Sequence, residues 1–309
     1  MSALEQAMRD YLALRRSLGY DLAEAHWLLP SFVAFLETNG VDTVTVELSL
    51  AWAQQPPGRG GYSVAPRRMT IVRGFARYLA GIDPANEIPP LGLVPHRAHW
   101  RPPFLFSPAE VDILLAAAGS LAPPLRAATY QTLIGLLAVS GLRIGEVIKL
   151  DRADIDWAEQ VLLIRESKFH KSRLVPVQPS TLGALRSHGQ LRDRLQPRPL
   201  TPSFFVSGRR TRLCYVVVAQ TFRRLVDDAG IGAGAPSPPR LHDLRHSFAI
   251  RTLIGWYRSG QDVQARLPAL STYLGHREPA HTYWYLSASP ELLALAAARQ
   301  DTSWLAARP

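Results

Sequence analysis

Cysteine is almost missing from this chain: Cys214 stands alone among 309 residues, which excludes an internal disulfide and any zinc site built from several thiolates. Lysine is nearly as scarce, with Lys149, Lys168 and Lys171 the only three among 35 basic residues. Long apolar runs are lacking too, and none reaches the roughly 18 residues that a membrane span requires. The opening segment MSALEQAMRDYLALRRSLGY carries acids and reads as an amphipathic helix rather than a secretory signal. These absences point to a cytoplasmic protein.

What is abundant is arginine. A net charge of +10 and a pI near 10.2 call for a polyanionic partner, and the planar guanidinium fork suits phosphate better than an ammonium does. Part of the bias is compositional, because GC-rich coding also favours Arg, Ala, Pro and Gly; that makes each lysine more conspicuous. Hydrophobic content of 47 % and charged content of 19 % describe an ordinary globular chain, and the length suggests about two domains.

Residues 1–82 read as a helical domain. Leu4, Tyr11, Leu12, Leu14 and Leu18 lie near helical spacing, Ala25 to Leu36 gives a second apolar stripe, Val44 to Trp52 a third helix, GRGGYS a turn and Val64 to Leu79 a fourth helix. The fourth carries Arg67, Arg68, Arg73 and Arg77, a basic face suited to phosphate contacts. Prolines recur from Asp83 to Pro103, so residues 83–106 read as an interdomain linker. A second domain, 107–309, opens on Ser107 as N-cap, Pro108 at N1 and Glu110 completing a capping box. Within it, Tyr130 to Ser140 is a buried-looking helix. Val161 to Arg165 and Arg173 to Val177 flank a hairpin turn that bears Lys168 and Lys171. Thr181 to Leu195 reads as a helix, Phe204 to Ser207 as a short strand, and Tyr215 to Ala229 as a basic helix with Gln220, Arg223 and Arg224, able to lie in a groove.

Four motifs carry chemistry. LHDLRHSFAI sets His242 and Arg245 three apart, on one face if helical. STYLGHREPAHTYWYL supplies His276 and Tyr285, SGLRIGEVIKL supplies Arg143 with Glu146 three residues on, and ESKFHKSRLVPV supplies the lysines. A phenol of pKa about 10 that attacks a phosphodiester needs a proton acceptor, and the phosphorane it forms needs cationic donors. Those residue types are all present.

In their chain order, Arg143 motif, lysine hairpin, HDLR and LGH, between about Ser107 and Leu286, the motifs resemble the tyrosine recombinase (phage integrase) family of site-specific DNA recombinases. The resemblance implies a mainly α fold with a small β-hairpin or sheet: an N-terminal helical bundle that binds the core DNA site, followed by an α+β catalytic domain. It implies that Tyr285 attacks phosphorus and leaves a 3′-phosphotyrosyl link, without metal or ATP. Arg143, Arg245 and His276 would hold the phosphate oxygens, His242 would take the phenol proton, and Lys168 would donate to the departing 5′ oxygen. Alignment through RLVPV selects Lys168 over Lys171, and spacing from LGH selects Tyr285 over Tyr283. The implied partner is duplex DNA with inverted-repeat core sites, bound by a homotetramer on synapsed DNA that is monomeric or dimeric in solution, with other recombinases of the same element as further partners. The HTYWYL context and the arginine-rich composition point to a mobile-element recombinase of a GC-rich bacterium, where a cytosolic protein of this kind would be nucleoid-associated. The stretch IGWYRSGQDVQARLPALS departs from the family pattern, being several residues longer than usual.

Three rivals bear comparison. A metal-dependent phosphohydrolase could use His242 and His246 with His276 or His281, but HxxxH lacks the general-base Glu of HExxH and Arg143, Lys168 and Tyr285 would have no part in it. A degenerate recombinase acting only as a DNA-binding partner conflicts with the intact set of candidate residues. A type IB topoisomerase shares the chemistry, yet the compact order of hairpin, HDLR and LGH is closer to a recombinase. After Tyr285, SPELLALAAARQDTSWLAA reads as an apolar helix with Ser289 as cap, suited to packing on its own domain or on a neighbouring copy. Deleting the residues beyond Ser289 is expected to weaken assembly of several copies on DNA more than binding to one site, as read by native gel shifts; equal loss of both would contradict a role between copies.

Overall fold

The computed structural model describes residues 2–56, 65–94, 102–165, 172–276, 278, 280–287 and 289–306. The chain divides into two compact units, Met1–Trp100 and Arg101–Pro309.

Among the described residues the first unit has four helices, α1 (Ala3–Ser17), α2 (Ala23–Thr38), α3 (Val46–Gln54) and α4 (Ala65–Ala80). Ser2 and Thr45 cap α1 and α3 by accepting the backbone N–H of Glu5 and Leu48, which satisfies donors a helix start otherwise leaves unpaired. Leu4, Met8 and Leu12 of α1, Leu29, Phe32 and Leu36 of α2, Trp52 of α3, and Met69, Val72, Phe75 and Ala76 of α4 form one core. The GRGGYS turn lies outside the described residues. The unit runs on past residue 82, into the segment read as linker. Asn86 is buried and accepts the Val44 N–H at 2.9 Å, Glu87 accepts the Val46 N–H at 2.6 Å, and Leu93 and Val94 pack on the core. Proline lacks an N–H but keeps its carbonyl, and that is what holds this segment: Arg73 donates to the carbonyls of Pro89 and Pro90, each at 2.8 Å.

The second unit begins with Phe104 and Phe106 packed edge to face at 4.9 Å, and the Phe106 N–H donates to the Ser247 hydroxyl at 2.8 Å. The capping box forms as expected, Ser107 and Glu110 exchanging hydrogen bonds at the start of α5 (Pro108–Gly119). Next, α6 (Pro124–Ser140) starts six residues ahead of its apolar stretch because Pro124 occupies the first helical position, where its missing N–H costs nothing. It ends on Gly141 in the left-handed conformation, φ 61°. After α7 (Ile144–Lys149) come three short antiparallel strands in the order β1 (Ile155–Asp156), β2 (Val161–Ile164), β3 (Arg173–Pro176), with Leu162 opposite both Ile155 and Val175.

The β2–β3 pairing matches the expected hairpin, whose turn lies outside the described residues. The strand expected at Phe204 to Ser207 is not one. Phe204, Phe205 and Val206 are buried, but the segment makes only isolated bridges, Ser203 to Asp151 and Val206 to Arg212. Burial of consecutive aromatic and β-branched residues imitates a strand in sequence without needing a ladder.

The remaining helices are α8 (Pro179–Leu195), α9 (Tyr215–Asp228), α10 (Leu241–Arg258), α11 (Val263–Leu274), α12 (Ala280–Tyr283) and α13 (Pro290–Ala306), with a 3₁₀ turn over Trp284–Ser287. The long stretch after Arg245 is absorbed by the last turns of α10 and by α11. Ala249, Ile250 and Leu253 of α10, Val263, Leu267 and Leu270 of α11, and Leu292 of α13 make a satellite core there. No described helix is long and apolar enough to cross a membrane.

Gly141 is closely packed: a Cβ there would stand 2.4 Å from Phe248 Cδ1 and 3.1 Å from Leu274 Cδ2. Left-handed backbone alone costs a side-chain-bearing residue about 1 to 2 kcal/mol, and the clash adds to that. Gly141→Ala is expected to destabilise the chain by at least about 2 kcal/mol in urea unfolding, whereas Gly145→Ala, with open space around it, leaves the midpoint nearly unchanged.

Candidate active site

The motifs converge at one end of α10, against the C-terminal ends of α6 and α11. Arg245 is 2 % exposed and donates to the Gly141 carbonyl at 2.8 Å and to the Leu274 carbonyl at 2.7 Å. Arg143, half-buried just before α7, donates to the Gly275 carbonyl at 3.0 Å. These carbonyls belong to helix ends that have run out of intrahelical donors and carry the negative end of the helix dipole. The two left-handed glycines, Gly141 and Gly275 (φ 70°), turn the chain at those ends.

Two guanidinium groups this close repel each other, and a buried carboxylate offsets the repulsion. Glu146 Oε1 accepts Arg143 Nη1 at 2.9 Å, and Oε2 accepts the Arg143 backbone N–H at 3.0 Å. A third arginine, Arg173 at the start of β3, forks onto the same carboxylate at 3.0 and 2.9 Å and donates through Nε to the Tyr273 carbonyl at 2.8 Å. Sequence reasoning noted Glu146 three residues after Arg143 but missed Arg173, whose only signal was an arginine opening the second strand of the hairpin, two residues after Lys171. Burial by itself raises the Glu146 pKa, yet hydrogen bonds and charge from Arg173 and Arg143 outweigh it and hold the carboxyl below its ordinary value.

Tyr285 lies in the 3₁₀ turn, 2 % exposed, whereas Tyr283 two residues earlier is 50 % exposed. Its ring stacks on His276 at 6.0 Å and 21°, and meets His246 edge-on at 5.5 Å and Trp284 at 5.4 Å. Burial raises the phenol pKa, while the Arg245 guanidinium, charged and hydrogen-bonding, and Arg143 pull it back. Arg245 in turn is lowered to about 10 by burial and by Arg143, so it stays cationic at neutral pH. His276 is tied through Nδ1 to the Thr282 hydroxyl at 2.7 Å, and Thr282 is fully buried, a partner that no motif announced.

His242 occupies the first turn of α10. The residue is exposed, and its ring meets His246 edge-on at 4.6 Å. Partial desolvation of the ring, then His246 and Arg245, push its pKa below the ordinary value, which favours a neutral imidazole able to accept a proton. Among the described residues, no group of three or more His, Cys, Asp or Glu side chains is placed to hold a metal ion. Lys168 and Lys171 lie outside the described residues.

The basic face expected on α4 is corrected by the structure. Arg73 falls on the buried stripe between Met69 and Ala76, is 9 % exposed and spends its guanidinium on Pro89 and Pro90. Arg68 turns back to the end of α3, donating to the Gln55 carbonyl at 2.8 Å and lying over the Trp52 ring. Arg67 is exposed and paired with Glu24 at 3.0 Å, and Arg77 is exposed. On α9, Arg223 and Arg224 are both exposed, with Arg223 held by Asp227 at 2.9 Å.

A helical unit followed by a mainly helical unit with a small antiparallel sheet, closing arginines, histidines and one tyrosine around a common point, defines a tyrosine-type site-specific recombinase. The chain belongs to the phage integrase family: the family's sequence model, described as "Phage integrase family", matches residues 106–291. It is 44 % identical to "Putative integrase/recombinase y4rB" of Sinorhizobium fredii over 98 % of this chain and 99 % of that one. It is 31 % identical to "Tyrosine recombinase XerC" of Alcanivorax borkumensis over 86 % of this chain and 80 % of that one. Among solved structures, the Tn1549 transposon integrase in complex with transposon right end DNA has the same fold, with a TM-score of 0.63, 17 % identity and coverage of 97 % and 99 %. XerA recombinase has it with a TM-score of 0.52, 23 % identity and coverage of 96 % and 98 %.

Because the Glu146 carboxyl is held below its ordinary 4.5, its contribution to stability is complete at neutral pH and is lost as pH falls below that value. Glu146→Gln is expected to lower stability at pH 7 by about 3 kcal/mol, as for a buried ion pair that loses one partner. It is also expected to flatten the fall of the melting temperature between pH 5 and 3; an acid limb as steep as the wild type's would contradict this role.

Proposed function

We propose that this recombinase cuts and rejoins DNA with Tyr285 as nucleophile, in a site completed by Arg143, His242, Arg245 and His276 of the same chain and by Lys168. The observation that carries the reading is that Tyr285 is buried with its ring stacked on His276 and against His246 of the Arg245 helix, where the charges of Arg245 and Arg143 act on its phenol. The tyrosine proton passes to neutral His242 as the phenolic oxygen bonds to phosphorus. The P–O bond to the 5′ oxygen breaks, and Lys168 supplies that oxygen's proton. Arg143, Arg245 and His276 donate to the non-bridging oxygens as charge builds on them. An ammonium suits the leaving-group proton because it gives up a proton more readily than an ordinary arginine does, which fits Lys168 and Lys171 standing close together in an arginine-rich chain.

The partner in this reading is duplex DNA with inverted repeats, synapsed by four copies in a nucleoid-associated assembly, as part of the movement of a genetic element. Arg67, Arg77 and Lys171 serve as phosphate contacts. On α9 the buried face is Val218, Phe222, Leu225 and Val226, while Val216, Gln220 and Arg224, spaced four apart, share the exposed face with Arg223. A methyl-bearing side chain, an amide and a guanidinium match the thymine methyl, the adenine edge and the guanine edge of a major groove, so this stripe suits base reading.

The test is covalent trapping. Wild-type chain is incubated with fragments of the genome that carries its gene, denatured in detergent, and the protein-linked DNA is sequenced. An adduct at a discrete inverted repeat, formed equally in excess chelator, is expected, with Tyr285→Phe forming none and Tyr283→Phe forming it normally. Arg143→Ala is expected to slow adduct formation about 100-fold, the scale of one lost oxyanion donor. An adduct that survives Tyr285→Phe, or one that chelator abolishes, would overturn the mechanism.

A further inference from the structure

One titratable side chain packed against Tyr285 has no part in the mechanism. His246 stands on α10 one turn beyond His242 and directly after Arg245, partly buried. Its ring touches three others: His242 at 4.6 Å and 90°, Trp284 at 5.1 Å and 53°, and Tyr285 at 5.5 Å and 62°. Its Nδ1 is buried and has no hydrogen-bond partner among the described residues. The contrast with His276 on the other side of Tyr285 is informative, since that ring is hydrogen-bonded to Thr282. Nδ1 adds no such tether for His246; the described contacts that locate its ring are those aromatic packings, and two of the three are to the 3₁₀ turn that carries the nucleophile.

We propose that His246 is a positioning residue for Tyr285, a flat wall on α10 that sets where the 3₁₀ turn Trp284–Ser287 rests and so keeps the phenol aimed at Arg245. The inference rests on Tyr285 as nucleophile for its functional consequence, but not for its geometric one. A short 3₁₀ turn has few hydrogen bonds of its own to fix a side chain, so the direction of Tyr285 comes from what it packs against. His276 stacks on one face of the ring and His246 abuts it edge-on, which leaves the hydroxyl end to the guanidinium. Removing the His246 ring opens the side on which Tyr285 and Trp284 lean, and a nucleophile displaced by about 1 Å loses up to about 100-fold in rate.

Two measurements on the full chain test this separately. In the first, without DNA, wild type, His246→Ala and His246→Phe are treated with tetranitromethane, and nitration is read residue by residue by mass spectrometry. Tyr285 is expected to be protected in wild type and to react several-fold faster in His246→Ala. Tyr11, buried in the first unit, should be unchanged, and His246→Phe, which restores a flat ring, should restore protection. Unchanged Tyr285 reactivity in His246→Ala, or an equal rise at Tyr11, overturns the proposal even if the recombinase mechanism stands.

The second uses the DNA trapped by the wild-type chain, nicked so that cleavage cannot reverse. His246→Ala is expected to bind this duplex with unchanged affinity and cleave it about 10- to 100-fold more slowly, with His246→Phe close to wild type. Equal cleavage rates, or a His246→Phe protein that melts normally and is as slow as His246→Ala, would reject a role exerted through the ring. Should wild type itself form no adduct, the proposed function fails while the nitration result still decides the geometry.

Discussion

The site depends on how several guanidinium groups are kept together away from bulk water. Arg143, Arg173 and Arg245 crowd one end of α10, with one buried carboxylate, Glu146, shared by the first two. One negative charge cannot balance three positive ones. The difference is made up by the carbonyls of Gly141, Tyr273, Leu274 and Gly275, which belong to or border two helix C-termini and carry partial negative charge. What remains is a preorganised cluster of net positive charge. Preorganisation of this kind stabilises developing charge without reorganisation when the reaction occurs.

The same constraint explains why glycine stands where it does. At Gly141 and Gly275 the chain must turn left-handed to end a helix while arginines press close; a Cβ at Gly275 would lie 2.7 Å from Arg173 Nη1. Backbone conformation, helix termination and cation placement are thus one arrangement. The rings of His246, His276 and Trp284 then settle the tyrosine against it. In the first unit the equivalent device is turned to stability, since Arg73 binds proline carbonyls and closes the tail of the unit over its core.

Much of this was legible in the residues. His242 and Arg245 at i and i+3 define their mutual geometry once α10 forms, and the Ser107, Pro108, Glu110 start of α5 needs only local rules. The α4 arginines show where such rules fail. Spacing put Arg73 and Arg77 four apart and suggested one basic face, but Arg73 lies on the stripe of Met69 and Ala76, and a long side chain can be buried when carbonyls await its end. Phe204 to Val206 failed for a related reason, because burial alone produced a strand-like run.

The motifs in their chain order carried the resemblance to tyrosine recombinases, which in turn implied the reaction type, and helical periodicity supplied most of the elements. Tertiary structure alone decided that Arg173 joins Glu146, that Thr282 holds His276, that Tyr285 is buried while Tyr283 is not, and which arginines face inward. The physical reason is that these choices rest on bonds to backbone carbonyls and on ring packing between segments far apart in the chain, Arg245 to Gly141 spanning 104 positions. Every residue offers a carbonyl, so sequence carries no mark of which one will be used.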